Sequence, residues 1–471
     1  MIVSVMTGVS AVGFNLLPKA TKKIWRLKRQ DSVQVVELLS APRRRLLQHP
    51  LRTTLVTLVV VSVIVGAGVL MRPEPTGLEP GELVVMTAFP SDPNDARSMV
   101  LDQWNRLNPD NQARFDYAPE SSDAQHDRMV DDAKPGGEHR ADLYVLDIVW
   151  MREFTARDYV RPLDESKLPE RDLGDFVRKP LATCLFDGKT WGLPFNSDVG
   201  LMYQREIGDN QPTPRSWDDY YGTSAGKTLA MAKKVDPKIE AANAAQLSVD
   251  DEMLTINTLE AIWAAGGRLV QNGQPTMTAD LSQVDFGPED LAGIRDLAKA
   301  ANDSDVVLTK DHEARASTAR TAAKAFSDGR TLYMRNWPVA RDAISDDLPY
   351  KVVAPPTPSV LGGQDLTIAA HTDKPRAAQA LIQFLTNPSS EQIISEAGGF
   401  VPTRQSAFDY SRDPDSQQVQ TALNNARLRP VTEHYVEFSK AFRQGIAQAL
   451  STDGELEDDF GTQLARILNR P

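Results

Sequence analysis

The chain has 471 residues, of which 41% are hydrophobic and 25% charged, a composition typical of globular proteins. That length exceeds one ordinary hydrophobic core and favours two lobes with an appendage. Residues 1–72 carry eleven Lys/Arg and two Asp/Glu, a net charge of +9, so the overall −12 leaves −21 on the remainder. Such an acidic body argues against nucleic acid as a partner. A single cysteine, Cys184, excludes internal disulfides and multi-cysteine metal sites.

A membrane segment is predicted near the N-terminus. Thr53–Met71 is nineteen residues long without a charge, close to the roughly 20 residues that cross a bilayer as a helix. Basic residues precede it, including Arg43–Arg45, and acidic residues follow it. This asymmetry predicts residues 1–52 in the cytoplasm, 53–71 as an uncleaved transmembrane signal anchor, and the main body outside the cell membrane. Cleavage stays open as an alternative, because small residues at 65–68 form a weak cleavage site.

The first part of the body alternates predicted strands and helices. Residues 72–81 form a short stiff linker, because they are rich in proline. The pattern then predicts, in order, a strand over Glu82–Phe89, a helix over Asp95–Asn105, and strands over Phe115–Ala118 and Ala141–Leu146. This alternation indicates an α/β lobe with ligands at the carboxyl ends of its strands. Asp147 and Trp150 directly follow the third strand and are therefore candidate ligand contacts.

The segment Asp187–Glu206 has the pattern of a crossing between two lobes. A turn dipeptide is followed by an extended run that ends before Pro194, and a short apolar strand closes the segment. Between them lie the polar residues Asn196 and Asp198, whose side chains are able to face a ligand in the cleft.

The second half of the chain continues with mixed elements. The pattern predicts a helix capped by Ser216 or Asp218, helices over Leu259–Gly267, Lys374–Leu385 and Tyr435–Leu450, and a buried strand over Thr331–Met334. Earlier in the chain, Phe154–Asp164 is predicted to form a helix that leads to a Pro-Leu-Asp turn. Arg335-Asn336-Trp337-Pro338 stands at the end of that strand as an exposed turn. Gly362 and Gly363 begin a glycine loop that feeds another strand and lets backbone approach a ligand closely.

These blocks together resemble the family 1 extracellular solute-binding proteins, the receptors of bacterial ABC sugar importers. The likeness rests on Ala141–Asp164, on Asp187–Glu206 and on Asn336-Trp337-Pro338, the last similar to an element of actinobacterial trehalose-type receptors. It spans about residues 82–471 and implies an α/β, two-lobe periplasmic-binding-protein-like fold of type II, with multiple hinge crossings, behind the transmembrane helix. The implied division gives lobe 1 residues 82–195 and 335–365, and lobe 2 residues 196–334 and 366–471.

A sugar pocket needs flat aromatic faces beside side chains that donate and accept hydrogen bonds. Asp365 and Arg404 offer charged hydrogen bonds, and Tyr435 resembles an aromatic of the second lobe's cleft wall. The predicted ligand-binding residues are Asp147, Trp150, Asn196, Asp198, Trp337, Gly362, Gly363, Asp365, Arg404 and Tyr435.

Motifs of common enzymes are missing from the sequence. It has no GxSxG, HExxH, GxxxxGK[ST] or strand-linked GxGxxG pattern, and its six histidines are scattered without metal-ligand spacing. We therefore expect a protein that is not an enzyme and that uses neither a catalytic residue, nor a cofactor, nor a metal.

The expected function is reversible capture of a di- or oligosaccharide outside the cell, by a membrane-anchored monomer that delivers it to an ABC permease. A membrane-tethered solute sensor or assembly protein that reuses the binding fold remains the alternative. It is motivated by the anchor and by the basic segment of about fifty residues in front of it.

Overall fold

The computed structural model describes residues 77–88, 95–119, 121–169, 173–208, 212–308 and 318–470. The chain divides into two compact units, Met1–Gly77 and Leu78–Pro471. The predicted cytoplasmic segment, the signal anchor and the first half of the linker lie outside the described residues. Within the described ranges, none of the helices combines the length and apolar character needed to span a bilayer.

Fourteen strands are present in the described ranges of the second unit. They are β1 (Leu83–Ala88), β2 (Ala113–Ala118), β3 (Leu143–Asp147), β4 (Val160–Arg161), β5 (Leu185–Phe186), β6 (Lys189–Thr190), β7 (Gly192–Val199), β8 (Leu201–Arg205), β9 (Ala241–Ala244), β10 (Val270–Gln271), β11 (Gln274–Pro275), β12 (Thr331–Asn336), β13 (Tyr350–Val353) and β14 (Leu361–Ala369).

The α-helices of the described ranges fall between and after these strands. They are α1 (Ala96–Leu107), α2 (Ser122–Ala133), α3 (Met151–Ala156), α4 (Arg178–Ala182), α5 (Trp217–Tyr221), α6 (Thr223–Val235), α7 (Met253–Ala264), α8 (Pro288–Asn302), α9 (Ala319–Ser327), α10 (Pro375–Leu385), α11 (Pro388–Gly398), α12 (Gln405–Asp409), α13 (Ser416–Asn425), α14 (Tyr435–Ser451) and α15 (Phe460–Leu468).

The first lobe is built on a six-stranded sheet. Its order is β2-β1-β3-β14-β4, with β7 also paired to β14. β1 runs parallel to β2 and β3, whereas β14 runs antiparallel to β3, β4 and β7. The three predicted strands of this lobe form where expected, because β1 and β3 are apolar runs buried on both faces. The predicted α/β lobe is confirmed.

The second lobe contains a four-stranded sheet of order β13-β8-β12-β9. β8 pairs antiparallel with β12 and β13, and β9 pairs parallel with β12. Ser216 begins α5, since its hydroxyl oxygen accepts a hydrogen bond from the Asp219 N–H at 3.2 Å, as the predicted cap requires. The two sheets confirm the predicted two-lobe α/β fold.

Each lobe has an apolar core of its own. In the first lobe, α1 and α10 bury their apolar faces against one side of the sheet; Leu381 and Ile382 are fully buried there. In the second lobe, α7, α8, α14 and α15 form a helical core that includes Phe438 and Phe442. A further cluster continues from the first sheet to β8 and β12, so apolar packing is continuous through the connections between the lobes.

The connections between the sheets differ from those predicted. β7 leads directly into β8, as expected for the first crossing. After Trp337, however, the chain forms β13, which pairs with β8, so the return to the first sheet falls between Val353 and Leu361. Residues 366–398 lie with the first sheet, since β14 pairs with β3 and α10 packs beneath it. The predicted second crossing at 335–338, and the predicted placement of 366–398 in lobe 2, are therefore wrong.

The predicted helix over Phe154–Asp164 is also shorter in the structure. The helix α3 ends at Ala156, and β4 then adds an edge strand to the first sheet. Asp158, between them, has φ 55°, a left-handed conformation that ends the helix. The apolar residues of this segment therefore pack as a turn and a strand.

Candidate functional site

Strands β7 and β14 form the floor of a cleft. They pair along most of their length, from Leu361 opposite Val199 to Thr367 opposite Gly192. Gly363 has φ 123°, and a Cβ there would lie 2.9 Å from the Cα of Ser197. Only glycine fits this conformation and spacing, so the pair of glycines brings the two backbones close together.

Asn196 and Asp198 are the polar residues of β7 that line the cleft. The side-chain amide of Asn196 donates to the Gln364 side-chain oxygen at 3.4 Å, while its own oxygen has no partner within the described structure. Asn196 is only 5% exposed. A buried acceptor without a donor costs free energy, and a ligand hydroxyl or amine would satisfy it.

An ion-pair network joins the two lobes at the end of β3. The guanidinium of Arg429 donates to Asp147 Oδ1 at 2.9 Å and to Glu252 Oε1 at 2.6 Å. The Tyr435 hydroxyl donates to that same glutamate oxygen. Asp147 also accepts the Val149 N–H at 3.1 Å, which fixes its side chain at the strand end.

Two aromatic side chains border the cleft from opposite lobes. Trp150, 3% exposed, packs beside His126 with ring centroids 5.5 Å apart. Trp337 lies beneath the guanidinium of Arg335, whose central carbon is 4.2 Å from the ring centroid. A Cβ on Gly362 would lie 3.3 Å from two carbons of the Trp337 ring, so the missing side chain leaves room for this indole.

These elements enclose a cavity of about 360 Å³. Seven of the ten predicted site residues line it: Asp147, Trp150, Asn196, Asp198, Trp337, Gly362 and Gly363. The structure thus brings together residues that are as much as 216 positions apart in the sequence. Their part in ligand binding remains a prediction.

The other three predicted residues lie outside this cavity lining. Asp365 follows a register shift in β14 and is buried, with the Thr183 hydroxyl donating to it at 2.9 Å. Arg404 is buried against the Phe176 ring and donates to the Asp175 carboxylate at 3.3 Å. Tyr435 stands behind Glu252 and supports it. The structure therefore does not place these three residues at the cavity.

Several lining residues were missed by the sequence prediction. They are Ala88, Arg97, Ser122, Gln125, Asp251, Glu252, Met253, Ile256, Ala319, Val339, Gln364, Phe400 and Arg429. The sequence contains a local pattern that could have identified Phe400, because this residue lies in the glycine-rich segment before Arg404. No local pattern identifies Arg429, because its partner Asp147 is 282 residues away.

Burial sets the electrostatics of the cleft carboxylates. Burial raises the pKa of Asp198 to about 7, and the nearby Arg335 offsets only part of that effect. Burial also raises the pKa of Asp147 above its usual value, although Arg429 opposes the shift. The cleft is therefore a place where negative charge is poorly solvated and where hydrogen-bond donors are favoured.

The described residues contain no group of three or more His, Cys, Asp or Glu side chains arranged to hold a metal ion. The cleft instead has aromatic side chains at its border, carboxylate and amide oxygens as hydrogen-bond acceptors, and the closely paired backbones of β7 and β14 as its floor. This set is suited to holding a small polar molecule between two lobes.

Comparisons with known proteins agree with this architecture. Residues 105–424 match the sequence model described as bacterial extracellular solute-binding protein. A "Probable ABC transporter-binding protein" of Deinococcus radiodurans is 24% identical over 356 residues, which span 70% of this chain and 80% of that protein.

Solved structures show the same fold. Maltose-bound MalE3 of T. maritima superposes with a TM-score of 0.69 at 22% identity, covering 82% of this chain and 98% of that one. UgpB of Mycobacterium tuberculosis, in complex with glycerophosphocholine, gives 0.65 at 18% identity, with 83% and 99% covered. The cyclic α-maltosyl-1,6-maltose binding protein of Arthrobacter globiformis gives 0.62 at 20% identity, with 83% and 98% covered.

Proposed function

The chain belongs to the bacterial extracellular solute-binding proteins, and from this premise we propose that its cleft captures a di- or oligosaccharide for delivery to an ABC permease. The observation that carries the proposal is the meeting of Asn196, Asp198 and Trp337 in one cavity between the lobes. Its volume of about 360 Å³ lies within the ~300–1,000 Å³ range of small-molecule sites.

Each part of the cavity has a role in sugar capture. The faces of Trp150 and Trp337 suit the apolar C–H surface of a sugar ring, and Asn196 offers an acceptor to its hydroxyls. Both lobes contribute, so a bound sugar stabilises their closed arrangement, and closure presents a new surface to the permease. Relatives of the same fold include proteins solved with maltose and with glycerophosphocholine, which supports a small polar ligand.

The test is sugar binding by the double variant Asn196→Ala/Trp337→Ala. We expect the wild type to bind one class of sugar, with trehalose and maltodextrins measured first by isothermal titration calorimetry. Loss of the indole should weaken binding by about 30-fold or more, as for a central tryptophan of an interface.

Trp217→Ala is the matched control, because Trp217 is also a half-buried tryptophan but lies outside the cavity. This control should bind with wild-type affinity. Wild-type affinity in the double variant, with the fold intact by circular dichroism, would contradict the proposed site.

We also propose that Thr53–Met71 anchors the protein in the cell membrane, with residues 1–52 in the cytoplasm and 72–81 as the linker. The support is the uncharged run and the basic residues in front of it. Protease added to intact cells should remove the body and leave a membrane-bound N-terminal fragment. Release of the body into the medium with a new N-terminus after residues 65–68 would instead show cleavage.

A further inference from the structure

Two carboxylates that line the cavity form no direct ion pair in the described part of the chain. Asp198 and Asp251 both face the cavity, and neither lies within ion-pair distance of a described Lys, Arg or His. Asp251 accepts the Met253 backbone N–H at 2.8 Å on one oxygen. Asp198 interacts with the Val199 backbone N–H, and both side chains border the cavity.

The guanidinium groups at the cavity are already engaged. Arg97 forms an ion pair with Asp95 at 2.8 Å and donates to the Thr87 hydroxyl at 2.9 Å. Arg429 is held between Asp147 and Glu252, and its buried Nε has no acceptor within the described structure. The charge of both guanidinium groups is thus already balanced by carboxylates, and the excess charge among the described side chains of the cavity is negative.

A second observation points the same way. Asn196, 95% buried, lines the cavity with a side-chain oxygen that has no donor within the described structure. This oxygen and the two carboxylates are all acceptors. A ligand group that lies beside them must therefore supply donors, and a positive charge among these donors would compensate carboxylates that burial leaves poorly solvated.

We infer that the preferred solute is a saccharide that carries a protonated amine, with the ammonium held in the cavity that Asp198 and Asp251 both line. The inference rests on the proposed sugar-binding function and narrows its substrate class. A neutral sugar hydroxyl makes a neutral hydrogen bond to a carboxylate, whereas an ammonium also balances its charge. Burial raises the pKa of both carboxyl groups in the free protein, and nearby guanidinium groups offset only part of that effect.

The test uses sugars that differ only at the amine. Full-length protein is purified in a detergent without a sugar headgroup, because a saccharide headgroup would compete for the cleft. Calorimetry then compares trehalose with its amino derivative, and the glucosamine disaccharide with its N-acetylated, uncharged form. The amine-bearing member of each pair should bind about tenfold tighter or more, the effect of one charge-assisted hydrogen bond.

Variants assign the effect to the two carboxylates. Asp198→Asn and Asp251→Asn should each weaken the amine-bearing sugar at least about fivefold more than the neutral one, because each removes a charge but keeps the side-chain shape. The control Asp346→Asn, at an exposed position away from the cavity, should leave both affinities unchanged.

The outcomes separate this inference from the proposed function. Neutral sugars that bind as tightly as their amine-bearing partners would overturn the inference and leave the sugar-binding function standing. An unchanged preference in both Asp variants would overturn the assigned position of the ammonium. Failure of every saccharide, charged or neutral, to bind the folded protein would overturn the proposed function and the inference with it.

Discussion

Replacing Asp198 with asparagine should stabilise the ligand-free protein at neutral and alkaline pH. The folded protein raises the pKa of this carboxyl to about 7 by burial. In the unfolded chain an aspartate titrates near ~3.9. Between these values the folded state holds a proton that the unfolded state has released, so stability falls as pH rises through this window.

The magnitude follows from the difference between the two pKa values. About three pKa units correspond to roughly 4 kcal/mol at ~1.36 kcal/mol per unit. Asp198 is partly exposed to the cavity, where water reaches it, so we expect about 2 kcal/mol of this cost to be realised. Asparagine keeps the shape and removes the charge, so its gain should be absent near about pH 4, grow as the pH rises, and be complete above about pH 7.

Urea unfolding of Leu78–Pro471, which is a compact unit of its own, measures the effect at several pH values. The wild type also loses stability over this range through Asp365 and Glu391, since burial raises the pKa of each to about 7. The difference between wild type and variant isolates Asp198, and Asp346→Asn is the matched exposed control. A variant whose stability parallels that of the wild type at every pH would refute the reasoning.

Three further predictions concern other parts of the site. Gly362→Ala should weaken sugar binding in calorimetry and change the unfolding midpoint only slightly. The new Cβ would lie 3.3 Å from two carbons of the Trp337 ring and push the ring aside. Unchanged affinity would contradict this. Arg429→Met should destabilise the protein by about 3 kcal/mol in urea unfolding, since it leaves two partly buried carboxylates without a counter-charge, whereas Arg412→Met at the surface should have little effect. His126 should titrate above its usual pKa in NMR, because its hydrogen bond to Glu153 outweighs burial, and the stability that this pair adds should be lost as pH rises through that value.

Local sequence patterns were sufficient to predict those site residues whose position follows directly from the strand that carries them. The apolar run before Asp147 predicted a buried parallel strand, and the site residue at its end followed from where strands in α/β lobes carry their ligands. The polar crossing with Asn196 and the glycine pair of β14 were likewise visible as local patterns.

Other parts of the site depend on distant contacts that local pattern does not encode. Arg429 acquires its position from an aspartate 282 residues earlier. Asp365 was predicted to face the cleft, but a register shift at Gln364 turns it away. The lobe boundary after Trp337 was misplaced because local sequence does not show to which sheet β13 and β14 belong; only their pairing partners do.

The floor and the border of the cleft differ in how freely they can be redesigned. β7 and β14 supply residues that line the cavity and are at the same time the strands through which the chain passes between the lobes. If the proposed function holds, a substitution at Asn196 or Gly363 should alter both ligand affinity and the closure of the lobes. Trp337 and Asp251 stand on the border, outside these two strands. A biosensor built on this scaffold would gain new specificity most cleanly at the border, with the paired strands kept intact to report closure.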